Sequence, residues 1–85
     1  MALFVIERNF ADELDPDVLD RAGIKAVNDD VSVKWIYSFL SADKKKTYCL
    51  YEAPSPDAIL AAARRANSPA DVIVEVSRVT ADTRL

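Results

Sequence analysis

With 85 residues, 51% of them hydrophobic, the chain is expected to form one domain, residues 1–85, with one modest core, and to be globular rather than disordered. A net charge of −3, with Lys44, Lys45 and Lys46 as the only basic run, speaks against a nucleic-acid partner. The absence of histidine, the single glycine and the single cysteine exclude a histidine base or metal centre, a glycine-rich phosphate loop and an internal disulfide.

The first strand is expected over Ala2–Asn9 (ALFVIERN), apolar on both faces until Glu7 and Arg8. Asp15-Pro16-Asp17 predicts a helix start: Asp15 caps free amides, Pro16 suits the first helical position and Asp17 favours the positive helix end. Val18, Leu19, Ala22, Ala26 and Val27 form its core stripe, and residues 28–30 end it. Gly23, inside this helix, costs about 1 kcal/mol against alanine and is read as allowing close approach to the sheet. Residues 31–42 (VSVKWIYSFLSA) predict a second strand, and residues 42–45 a turn whose lysines are solvated. The third strand, Lys46–Ala53 (KTYCLYEA), then forms a hairpin with the second and stops at Pro54. Ser55-Pro56-Asp57 repeats the helix-start chemistry, Ile59, Leu60, Ala62, Ala63 and Ala66 supply a small-residue face, and Asn67-Ser68-Pro69 breaks the helix. Residues 71–79 predict the last strand, and residues 80–85 a loose polar tail.

The order β-α-β-β-α-β fits a ferredoxin-like α+β sandwich: a four-stranded antiparallel sheet in the order fourth, first, third, second, with two helices on one face. On this reading the first and third strands are central and run parallel. Alternation assigns Phe4, Ile6, Val33, Trp35, Tyr37, Phe39, Cys49, Tyr51, Val72, Val74 and Val76 to the helix face. The open face receives Leu3, Val5, Glu7, Lys34, Ile36, Ser38, Leu40, Tyr48, Leu50, Glu52, Ile73, Glu75 and Ser77.

Three glutamates on adjacent strands would repel one another unless a cation or a proton sits among them. Glu7, Glu52 and Glu75 are therefore the candidate metal ligands, with a divalent ion as candidate cofactor. Glu7, Lys34, Tyr48, Glu52 and Glu75 form the candidate ligand-binding set. The plainer alternative pairs each glutamate with lysine, arginine or a second subunit. Apolar residues on the open face have no helix to cover them, which predicts a homodimer packed sheet to sheet. Cys49 reads as a small buried hydrophobe, since no histidine is available to activate it. Trp35 and Tyr37 read as core; the alternative has them line a pocket with Tyr48 and Tyr51, whose hydroxyl would bond a ligand. Without a secretory signal or a bilayer-length apolar run, a cytoplasmic protein with no membrane partner is expected.

The segments FVIERNF, VKWIYSF, DKKKTYCLYEAPSPDAI and PADVIVEV resemble a family of small proteins of unknown function that includes a nickel-binding protein with a ferredoxin-like dimer fold. The resemblance covers residues 3–79 and is most specific at Tyr-Cys-x-Tyr-Glu-Ala-Pro, residues 48–54. It implies a dimer and metal binding. It also implies a histidine on the second helix near Ala62 and a glycine near Asn67, and the chain has neither. Any metal would rest on oxygen ligands and Cys49, a set suited to harder ions than nickel. The expected function is a small dimeric ligand- or metal-ion-binding protein. The alternatives are a cofactor-free enzyme using a glutamate base and an orienting tyrosine on a small organic substrate, and a purely structural or regulatory dimer.

Overall fold

The structure is a computed structural model describing residues 1–81; residues 82–85, most of the expected tail, lie outside the described residues. β1 (Ala2–Asn9) pairs with β3 (Lys46–Ala53) on one side and β4 (Val72–Val76) on the other, and β2 (Lys34–Leu40) extends the sheet beside β3, giving the order β2-β3-β1-β4. Helices α1 (Arg21–Asp30) and α2 (Pro56–Arg65) make the second layer of the ferredoxin-like sandwich. Among the described residues no helix is long and apolar enough to cross a membrane.

All three strand pairs are antiparallel, which corrects the expected parallel pairing of the central strands. The reason is topological. The helical crossover leaves β2 parallel to β1, the hairpin then reverses the chain, and β3, inserted between them, runs against both.

The helix start at Asp15-Pro16-Asp17 also needs correction. That tripeptide does make capping chemistry, with the Asp15 carboxylate accepting from Asp17 N at 3.0 Å, but it closes only a 3₁₀ turn, Pro16–Val18. The chain then extends through Leu19, and α1 begins under a second cap, Asp20, whose carboxylate accepts from Gly23 N at 3.0 Å. Val18 is consequently 76% exposed, and Ala22 and Ala26 face solvent; Gly23, Ile24, Val27 and Asn28 form the inner face instead. Gly23 makes room for the cap and not for the sheet: a Cβ there would lie 2.2 Å from Asp20 Oδ2. α2 starts as expected, with Ser55 Oγ accepting from Ala58 N. It ends in a left-handed residue, Asn67 (φ 52°), and Ser68 N closes back on Ala63 O at 2.9 Å.

The core lies between sheet and helices: Phe4 and Ile6 of β1, Cys49, Tyr51 and Ala53 of β3, Val33, and Ile59 of α2. Facing residues share a side of the sheet, so the register separates the two faces. On the open face three rows run across β2, β3, β1 and β4: Lys34, Glu52, Leu3, Val76; Tyr37, Leu50, Val5, Val74; and Phe39, Tyr48, Glu7, Val72. Beneath the helices lie Trp35, Tyr51, Phe4, Glu75; and Ser38, Cys49, Ile6, Ile73.

Two strands therefore depart from simple alternation. In β2 the pairing slips between Trp35 and Tyr37, leaving Ile36 as the extra residue of a bulge. Trp35 stays with the core, whereas Tyr37 and Phe39 turn to the open face and Ser38 and Leu40 turn inward. In β4 the expected faces are exchanged: Ile73 opposes Ile6 and packs on the core, while Val72 and Val74 are half exposed on the other side. Both phases of Val-Ile-Val-Glu-Val carry apolar residues. The phase is set by docking at the strand entrance, where Asp71 N donates to Glu7 O and the Asp71 carboxylate accepts from Asn9 N.

Candidate functional site

The three glutamates do not meet. Glu7 opposes Tyr48 and Glu52 opposes Leu3, four residues away along β1, which is about 13 Å at roughly 3.4 Å per residue. Glu75 opposes Phe4 and so belongs to the other face of the sheet. The expected metal cluster of Glu7, Glu52 and Glu75 rested on parallel central strands and on the opposite phase of β4, and neither holds. Among the described residues no group of three His, Cys, Asp or Glu side chains is placed to share an ion. Glu7 forms an ion pair with Lys46 at 3.8 Å, and Glu52 faces Lys34 across β2 and β3. Glu7, Lys34, Tyr48 and Glu52 thus share the open face as two separate patches flanking the apolar row of Tyr37, Leu50, Val5 and Val74. Tyr48 is 38% exposed beside Phe39, whose ring meets Tyr37 edge to face at 5.5 Å.

The concave site lies on the other side. Beneath the helices is a half-open cleft of about 440 Å³, within the range of small-molecule sites. Its floor comes from β1, β2 and β3 (Arg8, Trp35, Ser38, Leu40, Thr47, Cys49 and Tyr51), and α2 supplies Ile59, Ala62 and Ala63. Asn28 of α1 and the segment holding Leu14 and Leu19 complete the walls. The alanines of α2 keep this wall low. The bulge in β2 aims Ser38 and Leu40 into the cleft.

Polar groups converge on one side of it. Arg8 is buried beneath the helices, in phase with Phe4 and Ile6. Its Nη1 donates to the Pro69 carbonyl, tying β1 to the segment after α2. Its Nη2 lies 3.5 Å from the Tyr51 hydroxyl, and the guanidinium stands 5.7 Å from the Tyr51 ring centre. Burial pushes the Tyr51 phenol above its ordinary value, against the opposing pull of Arg8, so the hydroxyl stays protonated and can donate. Cys49 Sγ donates to Thr47 Oγ1 at 3.5 Å, and Trp35 Nε1 donates to Ser38 Oγ at 2.8 Å. Among the described residues no aspartate, glutamate, histidine or lysine lines the cleft.

Of the residues weighed as pocket lining, Trp35 and Tyr51 are in the cleft and Tyr37 and Tyr48 are not. Arg8 and Thr47 are absent from the expected site. The signal for Arg8 is present in the sequence: it falls in phase with the core residues of its strand, where a solvated arginine has no reason to be. Ala62, where a histidine is implied by resemblance, is buried in the cleft wall and offers only a methyl group.

A family model described as "Nickel responsive protein SCO4226-like" matches residues 4–76. Among solved structures the chain is similar to SCO4226 from Streptomyces coelicolor A3(2), with a TM-score of 0.79 and 28% identity, covering 93% of this chain and 100% of that one. No curated protein matches the chain.

Proposed function

The chain belongs to the family of nickel-responsive SCO4226-like proteins, and from that premise we propose that it is a small dimeric binding protein that takes an organic ligand in the cleft beneath its helices. The observation that carries this reading is the cleft itself: a mostly apolar hollow of about 440 Å³ into which a few polar groups converge.

The family description raises nickel, and the residues of this chain do not fit a nickel centre. Nickel favours imidazole and thiolate ligands, but the chain has no histidine. Its one cysteine is buried on the helix side of the sheet, away from Glu7 and Glu52. Binding is favoured over catalysis because, among the described residues, no carboxylate, histidine or lysine in the cleft could act as a general base, and the raised Tyr51 phenol is a poor one.

A second copy is the occupant proposed for the open face. Its central row, Tyr37, Leu50, Val5 and Val74, is predominantly apolar, and the acid of each flanking row has a lysine beside it, Lys34 facing Glu52 and Lys46 paired with Glu7, so two copies would not repel. A domain of this size also buries only a modest core alone.

The test uses a thermal-shift screen of small organic compounds on the wild type and on Ala62→Phe, which fills the cleft from its α2 wall. Compounds that raise the wild-type Tm should leave Ala62→Phe unmoved. A screen in which no compound acts on the wild type, or in which Ala62→Phe responds equally, would overturn the cleft as the site. A stoichiometric heat on titration with nickel ions would overturn the metal-free reading.

A further inference from the structure

The cleft carries a charge pattern opposite to that of the whole chain. The protein has 14 aspartates and glutamates against 11 lysines and arginines, yet among the described residues the cleft is lined by two arginines, Arg8 and Arg21, and by no acid. Arg8 is the inner one, with only 7% of its surface exposed. The ion pairs among the described residues are Lys25–Asp29, Lys46–Glu7 and Arg65–Asp30, and Arg8 belongs to none of them.

A buried cation without a counter-charge is costly, and most buried charges are paired. The partners Arg8 does have, the Pro69 carbonyl and the Tyr51 hydroxyl, are neutral. A guanidinium offers five N–H donors in a planar fork suited to a carboxylate, so donors remain for a ligand. The Tyr51 oxygen faces Arg8 as an acceptor, with the Asn28 side chain also beside the hydroxyl, so Arg8, Tyr51 and Asn28 form one polar corner of the cleft. The polar side chains of Asn28 and, beside Arg8, of Thr47 are buried there, and the remaining wall is largely apolar, with Trp35, Leu40, Ile59 and Ala62.

We infer that the cleft binds a small organic acid, with its carboxylate held by the Arg8 guanidinium and the Tyr51 hydroxyl and its apolar body lying against Trp35, Leu40 and Ile59. This rests on the reading of the cleft as a ligand site and adds the chemical class of the ligand. The missing counter-charge of Arg8 is then supplied by the ligand, and an apolar wall selects acids with a ring or short hydrocarbon body over inorganic anions. Arg21, exposed and also lining the cleft, adds attraction for an arriving anion.

Trp35 is the only tryptophan and sits in the cleft, so its emission reports occupancy directly. The probes are phenylpropanoate and phenylpropanamide, equal in shape and different in charge. The wild type should bind the acid at least tenfold more tightly than the amide. Tyr51→Phe should weaken the acid several-fold and the amide little. Arg8→Gln should abolish the preference. Because Arg8 also holds Pro69, Arg8→Lys is measured beside it, keeping the charge but not the fork, and should retain part of the preference. Equal binding of acid and amide would overturn the acid assignment while leaving the cleft as a ligand site. A preference that survives in folded Arg8→Gln would overturn Arg8 as the anchor. No change in Trp35 emission with either probe would overturn both readings.

Discussion

Replacing Phe39 with aspartate tests the proposed dimer at the most exposed aromatic side chain of the sheet. Phe39 is 65% exposed and sits at the end of the row Phe39, Tyr48, Glu7, Val72. An aromatic side chain buries about 150–250 Å² when fully covered, so roughly 100–160 Å² of Phe39 is left for a partner. At about 25 cal/mol per Å² this is roughly 2.5–4 kcal/mol per copy, and two-fold symmetry counts it twice. Interface area converts to affinity with large losses, so about half of that sum is a fair expectation, roughly 3 kcal/mol, or more than 100-fold in dimer dissociation. The folded monomer should lose only about 1 kcal/mol, chiefly the edge-to-face contact with Tyr37. Sedimentation velocity at micromolar concentration should show the wild type at twice the 9.4 kDa chain mass and Phe39→Asp at that mass, with urea denaturation confirming that the variant is folded. A wild type that sediments as a monomer, or a Phe39→Asp variant that dimerises as tightly as the wild type, would refute the reasoning.

Three further outcomes follow from local geometry. Tyr51 has a raised folded-state pKa because it is buried, so the unfolded chain loses this proton first; stability is fully present below the ordinary value of 10.0 and is lost as pH rises through the folded value. Tyr51→Phe should flatten this alkaline loss in thermal melts, and an unchanged slope would show that the phenol is not desolvated. Gly23→Ala should be nearly neutral by urea denaturation, because about 1 kcal/mol of helix propensity is offset by displacing the Asp20 cap, worth about the same. In an Asp20→Ala background the same change should stabilise by about 1 kcal/mol; equal effects in both backgrounds would sink the cap argument. Lys44 adopts φ 62°, so Lys44→Gly should stabilise the hairpin by about 0.5–1 kcal/mol, and a destabilised variant would show that the turn does not strain the lysine.

How legible the site was in the sequence differs from residue to residue. Phe4, Ile6, Cys49 and Tyr51 were placed correctly on the core face because β1 and β3 are central, unbroken strands in which alternation runs true. Tyr37 and Phe39 were misplaced by the extra residue Ile36, since a bulge leaves no mark in a run of β-branched and aromatic residues. The face of Glu75 is not legible because both phases of β4 are apolar, and only the docking of the strand on Glu7 and Asn9 chooses between them. The start of α1 is not legible in the sequence because two aspartates compete as caps: Asp15 has the proline behind it, but Asp20 has the glycine that leaves its carboxylate space.

The sequence by itself determined the element order, the ferredoxin-like class, the cap of α2 and the family to which the chain belongs, because each is written in local chemistry: strand propensity, the Ser-Pro start, and a motif such as Tyr-Cys-x-Tyr-Glu-Ala-Pro. Only the tertiary structure decided which side chains meet. Strand direction moved Glu7 and Glu52 about four residues apart, and the phase of β4 took Glu75 to the other face. The packing of α1 and α2 over Arg8, Thr47, Cys49 and Tyr51 opens the cleft, on the face of the sheet opposite Glu7 and Glu52. A one-residue shift in a strand reverses every side chain beyond it. Which residues form a site is therefore a property of register and docking, and neither is carried by any one segment alone.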